Sequence, residues 1–183
     1  FAFFCIAPLY IVAQQNNTKL SKYTFGEMKA RHIGPATMSG RITCVDAVNS
    51  NPDLLYVGTA GGGVWKSKTA GTTYEPVFDE HIQGIGTITI DQDHPDTVWV
   101  GTGEVWTRNS VSVGDGIYKS TNGGKKWKNM GLKYSERIAK IIIHPEDPNI
   151  VFVAVLGHLW NGNQERGVYK TMDGGKNWEK ILY

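Results

Sequence analysis

An eight-residue pattern, Ser/Thr-x-Asp/Asn-x-Gly-x-x-Trp, occurs at Ser120–Trp127 and again at Thr171–Trp178, and it narrows what this chain can fold into. The pattern describes a compact hairpin turn. Asn122 and Asp173 can accept backbone N–H groups and close the turn, and Gly124 and Gly175 can adopt φ > 0. The hydroxyls of Ser120 and Thr171 add a local bond, and Trp127 and Trp178 can cover the turn. A worn version, Ser67-Lys68-Thr69-Ala70-Gly71-Thr72-Thr73-Tyr74, lacks both the acid and the Trp. The leading Ser/Thr residues of the three octads lie 53 and 51 residues apart.

The repeat extends well beyond the octads. Pro52-Asp53-Leu54-Leu55-Tyr56-Val57-Gly58-Thr59, Pro95 through Thr102 and Pro148 through Val155 align with one another. Upstream, Arg41-Ile42, Gly84-Ile85 and Arg137-Ile138 each open an apolar strand, and Val64–Ser67, Ile117–Ser120 and Val168–Thr171 lead into the octads. Each unit therefore has room for four short strands, called A to D here. No 3.6-residue periodicity competes with that reading. The content of 22 Gly and 11% aromatic residues suits short strands and tight turns.

These octads resemble Asp-boxes, also called BNR repeats, of sialidases, xyloglucan hydrolases and sortilin/VPS10-type receptor domains. The resemblance implies an all-β chain, a β-propeller fragment of about three four-stranded blades within a larger propeller. The expected organisation is a truncated signal peptide at 1–13, a lead-in at 14–37, and blades at about 38–78, 79–130 and 131–183. In such propellers the octad is a structural turn on the face away from the ligand. Ser120, Asn122, Gly124, Trp127, Thr171, Asp173, Gly175 and Trp178 are accordingly structural residues, and no catalytic residue is assigned.

Loop lengths locate a possible site. The B–C connection spans 7 positions from Val57 to Val64, but 17 from Val100 to Ile117 and 15 from Val153 to Val168. The two insertions share one face and hold Glu104, Trp106, Arg108, Asp115, His158, Trp160, Glu165 and Arg166. Arg41 and Arg137 reach the same face from the starts of strand A, with Arg31 and His32 nearby in sequence. Indoles beside carboxylates and guanidinium groups suit a carbohydrate or peptide: the ring stacks on an apolar face and polar groups fix orientation. The ligand-binding set is Arg41, Glu104, Trp106, Arg108, Arg137, His158 and Trp160.

The main expectation is a sortilin/VPS10-like propeller that recognises protein, peptide or glycan ligands. The alternative is a BNR-type glycoside hydrolase acting on polysaccharide. Xyloglucan hydrolases carry a first-blade segment resembling Tyr-Ala-Arg-Thr-Asp-x-Gly-Gly-Ala-Tyr-Arg-Trp, whose Asp is the general base. Here Tyr56-Val57-Gly58-Thr59-Ala60-Gly61-Gly62-Gly63-Val64-Trp65 places Ala60 at that position, and an alanine cannot activate water. Sialidases open their arginine triad with Arg-Ile-Pro, whereas this chain reads Arg41-Ile42-Thr43. A structural module flanking a separate catalytic domain is a third class.

Phe1–Ala13 is almost wholly apolar and then gives way to Gln14-Gln15-Asn16-Asn17, which fits the apolar region of a signal peptide with Ala13 before the cleavage point. The expected location is secreted, periplasmic or cell-surface, with no membrane span. The missing Met and the stop within a D strand at Tyr183 read as truncation, so the remaining blades of a longer chain are expected partners. A net charge of +2 gives no electrostatic case for nucleic acid. Neither cofactor nor metal is expected: His-Glu-x-x-His, Cys-x-x-Cys, Gly-x-Ser-x-Gly, P-loop and EF-hand patterns are all missing. Cys5 would leave with the leader, and Cys44 reads as a small core residue.

Overall fold

The computed structural model describes residues 41–107 and 111–183. The leader and lead-in at 1–37, with Cys5, Arg31 and His32, lie outside the described residues, as does Arg108. Among the described residues, twelve strands form three four-stranded antiparallel sheets, each a meander in chain order. The first holds β1 Ile42–Val48, β2 Asn51–Thr59, β3 Val64–Ser67 and β4 Glu75–Pro76. The second holds β5 Ile85–Ile90, β6 Val98–Thr102, β7 Ile117–Ser120 and β8 Lys128–Asn129. The third holds β9 Ile138–Ile143, β10 Val151–Val155, β11 Gly167–Thr171 and β12 Glu179–Leu182. β1 packs on β5 and β5 on β9, so the first strands converge while the short fourth strands lie at the outer edge. The sheets are consecutive blades of a β-propeller.

Successive side chains of a strand face opposite ways, so each blade offers one face to the blade before it and one to the blade after. The apolar cores therefore lie between blades. One joins Val48, Tyr56 and Val64 of the first blade to Ile85, Ile88, Val98 and Tyr118 of the second. Phe78 closes it, edge-on to Tyr118 and Trp127 with centroids 5.2 Å apart in both pairs. The other joins Trp99 and Ile117 to Ile138, Ile141, Val151 and Val153 of the third blade. Strand B must lie close to the next strand A for these cores to fill. A Cβ on Gly58 would come within 2.7 Å of Ile85 Cγ2, and one on Gly101 within 2.5 Å of Ile138 Cγ2.

The octads form the turns that their residues suggest. Gly124 N–H donates to Ser120 Oγ at 2.9 Å and Lys126 N–H to Asn122 Oδ1 at 2.8 Å. In the third blade Gly175 N–H donates to Thr171 Oγ1 at 3.0 Å, and Lys176 and Asn177 N–H to Asp173 Oδ1 at 2.9 and 3.0 Å. The paired glycines hold φ of 66° and 85° at Gly123 and Gly124, and 71° and 94° at Gly174 and Gly175. The worn octad substitutes a hydroxyl for the acid: Thr73 N–H donates to Thr69 Oγ1 at 2.9 Å. Its left-handed pair is Ala70 and Gly71, at φ 49° and 81°.

The tryptophans reach beyond their own turns. Trp127 Nε1–H donates to Val77 O at 2.6 Å and Trp178 Nε1–H to Met130 O at 2.7 Å, each on the outer strand segment of the preceding blade. In the other direction, Lys66 Nζ donates to Gly123 O at 2.7 Å, and Lys119 Nζ stands 3.5 Å from Gly174 O. The second and third octads are thus also clasps between blades.

One prediction concerns acid. Hydrogen bonds from the Asn177 backbone and side chain and from Thr171 hold the Asp173 carboxyl well below the usual carboxylate range. A depressed folded pKa stabilises above the unfolded value, about 3.9, and the benefit is lost as pH falls through the folded value. Asp173→Asn, which copies the Asn122 turn, should abolish that acid dependence. Urea midpoints at neutral pH and near pH 2 would check it: the gap between wild type and variant should change as the carboxylate protonates.

Candidate functional site

The A–B turns and octads share one end of the blades, joined by Ala70 N–H to Asp53 O, Gly123 N–H to Asp96 O and Gly174 N–H to Asn149 O, at 3.1, 2.9 and 3.0 Å. The B–C loops therefore occupy the opposite end, with the segments that lead into each strand A. Backbone bonds stitch these together across blades: Gly63 N–H to Gln83 O at 2.9 Å, and Gly114 N–H to Glu136 O at 2.7 Å. The loops are held in place by their neighbours.

Two adjacent grooves result, and Val113 lines both. The first, a cavity of about 620 Å³, lies between the first and second blades and includes Arg41, Ala60, Gln83, Glu104 and Ser112. Arg41 pairs with Glu104, which is only 4% exposed. Glu104 also accepts Ser112 N–H at 3.4 Å, so its charge is spent on joining the two blades. Ala60, 4% exposed, contributes a methyl group and a backbone N–H that donates to Arg41 O at 2.9 Å.

The second groove, about 400 Å³, lies between the second and third blades and is lined by Val111, Val113, Glu136, Arg137, His158 and Trp160 among others. His158 Nε2 lies 3.4 Å from Glu136 Oε1. Trp160 stands 75% exposed at the rim. Arg137 is 5% exposed, and its Nε donates to Gly157 O at 2.8 Å, so it positions the loop that carries His158 and Trp160. Arg166 supports the same loop through Leu156 O and His158 O, at 2.8 and 3.1 Å. Asp115 accepts the Tyr118 hydroxyl at 2.7 Å and serves its own turn. Burial and the nearby Glu165 carboxylate push the Tyr169 hydroxyl up to about 12, and it donates to Glu165 Oε2 at 3.3 Å.

The structure thus divides the residues singled out from sequence. Arg41 and Glu104 meet in one groove, and Arg137, His158 and Trp160 in the other. Trp106, 68% exposed, stands apart from the residues lining both. Glu136 was missed by sequence reasoning; its signal was its place next to Arg137 at the start of strand A, opposite the inserted loop. Among the described residues, no group of three or more His, Cys, Asp or Glu side chains is arranged to hold a metal ion. No helix among them is long and apolar enough to cross a membrane.

The fold and this loop face define a class, the β-propellers, and the comparisons agree. No protein-family model matches the chain. A curated xyloglucanase from Paenibacillus sp is 23% identical over 149 residues, which is 72% of this chain and 13% of the relative. An ancestral GH74 enzyme superposes with a TM-score of 0.59 at 21% identity, covering 78% of this chain and 18% of that one. YCF48 bound to D1 peptide superposes with a TM-score of 0.51 at 15% identity, covering 76% and 39%. The chain spans far less than two thirds of the length of each.

Proposed function

We propose that these blades belong to a glycoside hydrolase-like propeller and hold a polysaccharide against the groove formed by Glu136, His158 and Trp160. The observation that carries the reading is the exposed Trp160 ring beside the Glu136–His158 pair. An indole stacks on the apolar face of a sugar ring while a carboxylate and an imidazole bind its hydroxyls. The likeness to a xyloglucanase and to a GH74 enzyme favours a β-linked glucan as the class of ligand. Hydrolysis by two carboxyl groups needs a general acid and a base or nucleophile flanking the bond. Ala60 takes the position where the resembling hydrolases carry the base, and Glu104 is committed to Arg41. The role of these three blades is therefore binding and positioning. The apolar leader-like segment at 1–13 puts the proposed site of action outside the cytoplasm: secreted, periplasmic or at the cell surface.

A second reading, peptide capture on the same face as in a sortilin/VPS10-like propeller, draws support from the peptide-bound structural neighbour. Calorimetric titration with xyloglucan oligosaccharides and, separately, with unstructured peptides distinguishes the two. Trp160→Ala should weaken oligosaccharide binding about tenfold, the loss of roughly 1.4 kcal/mol, while leaving the thermal midpoint unchanged. Binding that is indifferent to Trp160 would remove the groove from consideration. Binding of peptide alone would favour the second reading.

A further inference from the structure

In each described blade a lysine of strand C stands in register with a charged residue of strand D. Lys66 stands opposite Glu75 in the first blade and Lys170 opposite Glu179 in the third, but in the second Lys119 stands opposite Lys128. Opposite charges directly across a sheet stabilise it and like charges destabilise it. The fold has no need of the second lysine, since the blades on either side carry a carboxylate at that register.

The like-charged pair lines a cavity of about 600 Å³ between the second and third octads, together with Lys126 and Lys176. Lys126, Lys128 and Lys176 are exposed, and no ion pair with a described residue neutralises them. Asp173 is the acid among the lining residues, and its oxygens accept N–H groups of its own turn. Asp91 raises the affinity of Lys119 for its proton, but its carboxylate accepts the N–H groups of Asp93 and His94. One blade earlier the corresponding positions carry Thr73 for Lys126, Glu75 for Lys128 and Asp96 for Asn149. There Lys68 pairs with Glu75 at 3.0 Å. The positive groove therefore belongs to one position in the repeat and is not a consequence of the octad.

We infer that this groove binds an acidic polysaccharide, whose carboxylate or sulfate groups lie against Lys119, Lys126, Lys128 and Lys176. An anion held between Lys119 and Lys128 replaces their repulsion by attraction, as the glutamates do in the neighbouring blades. The uncharged lining suits a sugar chain between the anions. The Thr121 hydroxyl can bond sugar hydroxyls, while the Trp127 ring and the Met130 thioether offer apolar surface. The choice of a glycan among polyanions rests on the polysaccharide reading proposed for the loop face; the charge of the groove is independent of it. The two ends of the blades thus take different glycans, a neutral one at Trp160 and an acidic one between the octads.

Titration of the full chain at low ionic strength with polygalacturonate, dextran sulfate, neutral dextran and polyglutamate tests this. Polygalacturonate or dextran sulfate should bind, and the stronger of the two tells carboxylate from sulfate; neutral dextran and polyglutamate should bind more weakly. Lys128→Glu, which copies Glu75 and Glu179, should weaken that binding about tenfold and raise the urea midpoint. Lys126→Thr, which copies Thr73, should weaken binding and leave the midpoint in place. Asp173→Asn, which removes the carboxylate of the groove, should strengthen binding at neutral pH. Trp160→Ala should leave binding of the acidic polymers unchanged, so that a failure of the loop-face reading is told from a failure of this one. Binding of neither acidic glycan, or binding that survives Lys126→Thr and Lys128→Glu together, would overturn the inference. Equal binding of polyglutamate would overturn the choice of a glycan and make the partner an acidic peptide.

Discussion

Trp99→Ala is expected to cost about 3–5 kcal/mol of folding stability, the range for removing a large buried aromatic. Trp99 is 0% exposed and lies between the second and third blades. Its ring meets Trp178 edge-on at 6.3 Å and carries Lys119 above it at 4.7 Å. The third octad closes against it, since a Cβ on Gly175 would come 2.7 Å from Trp99 Cη2. Truncation opens a cavity in a place where two sheets, and not one, would have to collapse to fill it. Among the described residues the buried indole N–H has no hydrogen-bond partner, which gives a control. Trp99→Phe removes an unsatisfied donor and keeps most of the ring, so it should cost less than about 1.5 kcal/mol. Urea unfolding of the two variants checks both; equal losses would mean that ring packing is not the source of the stability.

Gly103→Ala should be at least as damaging, with a loss of roughly 4 kcal/mol or more, or no folded protein. Gly103 has φ of 91°, a left-handed conformation that strains any other L-residue. An added Cβ would overlap the carbonyl oxygen of Glu136 and crowd Arg137 Cα. That carbonyl already accepts Gly114 N–H at 2.7 Å, and backbone fixed in this way cannot give as a flexible side chain can. Displacing it would also move Glu136 away from His158, so any folded fraction should bind oligosaccharide more weakly. Gly162→Ala, with nothing within 4 Å of the added carbon, should stay within about 0.5 kcal/mol of wild type. Circular dichroism melts of both variants decide the matter, and a wild-type midpoint for Gly103→Ala would refute the steric argument.

The candidate site was partly legible from sequence. Loop length alone marked 103–116 and 156–167 as insertions on one face, and Trp160 and His158 line a groove there. The roles of the charged residues were not legible. Arg137 looked like a ligand-facing cation, yet it is buried and holds Gly157 O. Glu104 looked available, yet it pairs with Arg41, 63 positions earlier in the chain. Charges in a loop sequence carry no label for direction. A buried carboxylate keeps its charge only beside a partner, and that partner came from another blade.

What the sequence by itself determined is what neighbours within a few residues decide. Ser120, Asn122 and Gly124 close their turn by bonds spanning four residues or fewer, so the octad could be read directly. Strand starts followed for the same reason, from a proline turn and an apolar run. Tertiary structure decided which face of each strand meets which neighbour. Both faces of these strands carry buried apolar residues, so alternation cannot tell forward from back, and the clasp of Lys66 on Gly123 joins residues 57 apart. The tryptophans show both levels at once: their place in the octad is local, but their N–H groups bind carbonyls at the outer edge of the preceding blade, about 50 residues away in the chain.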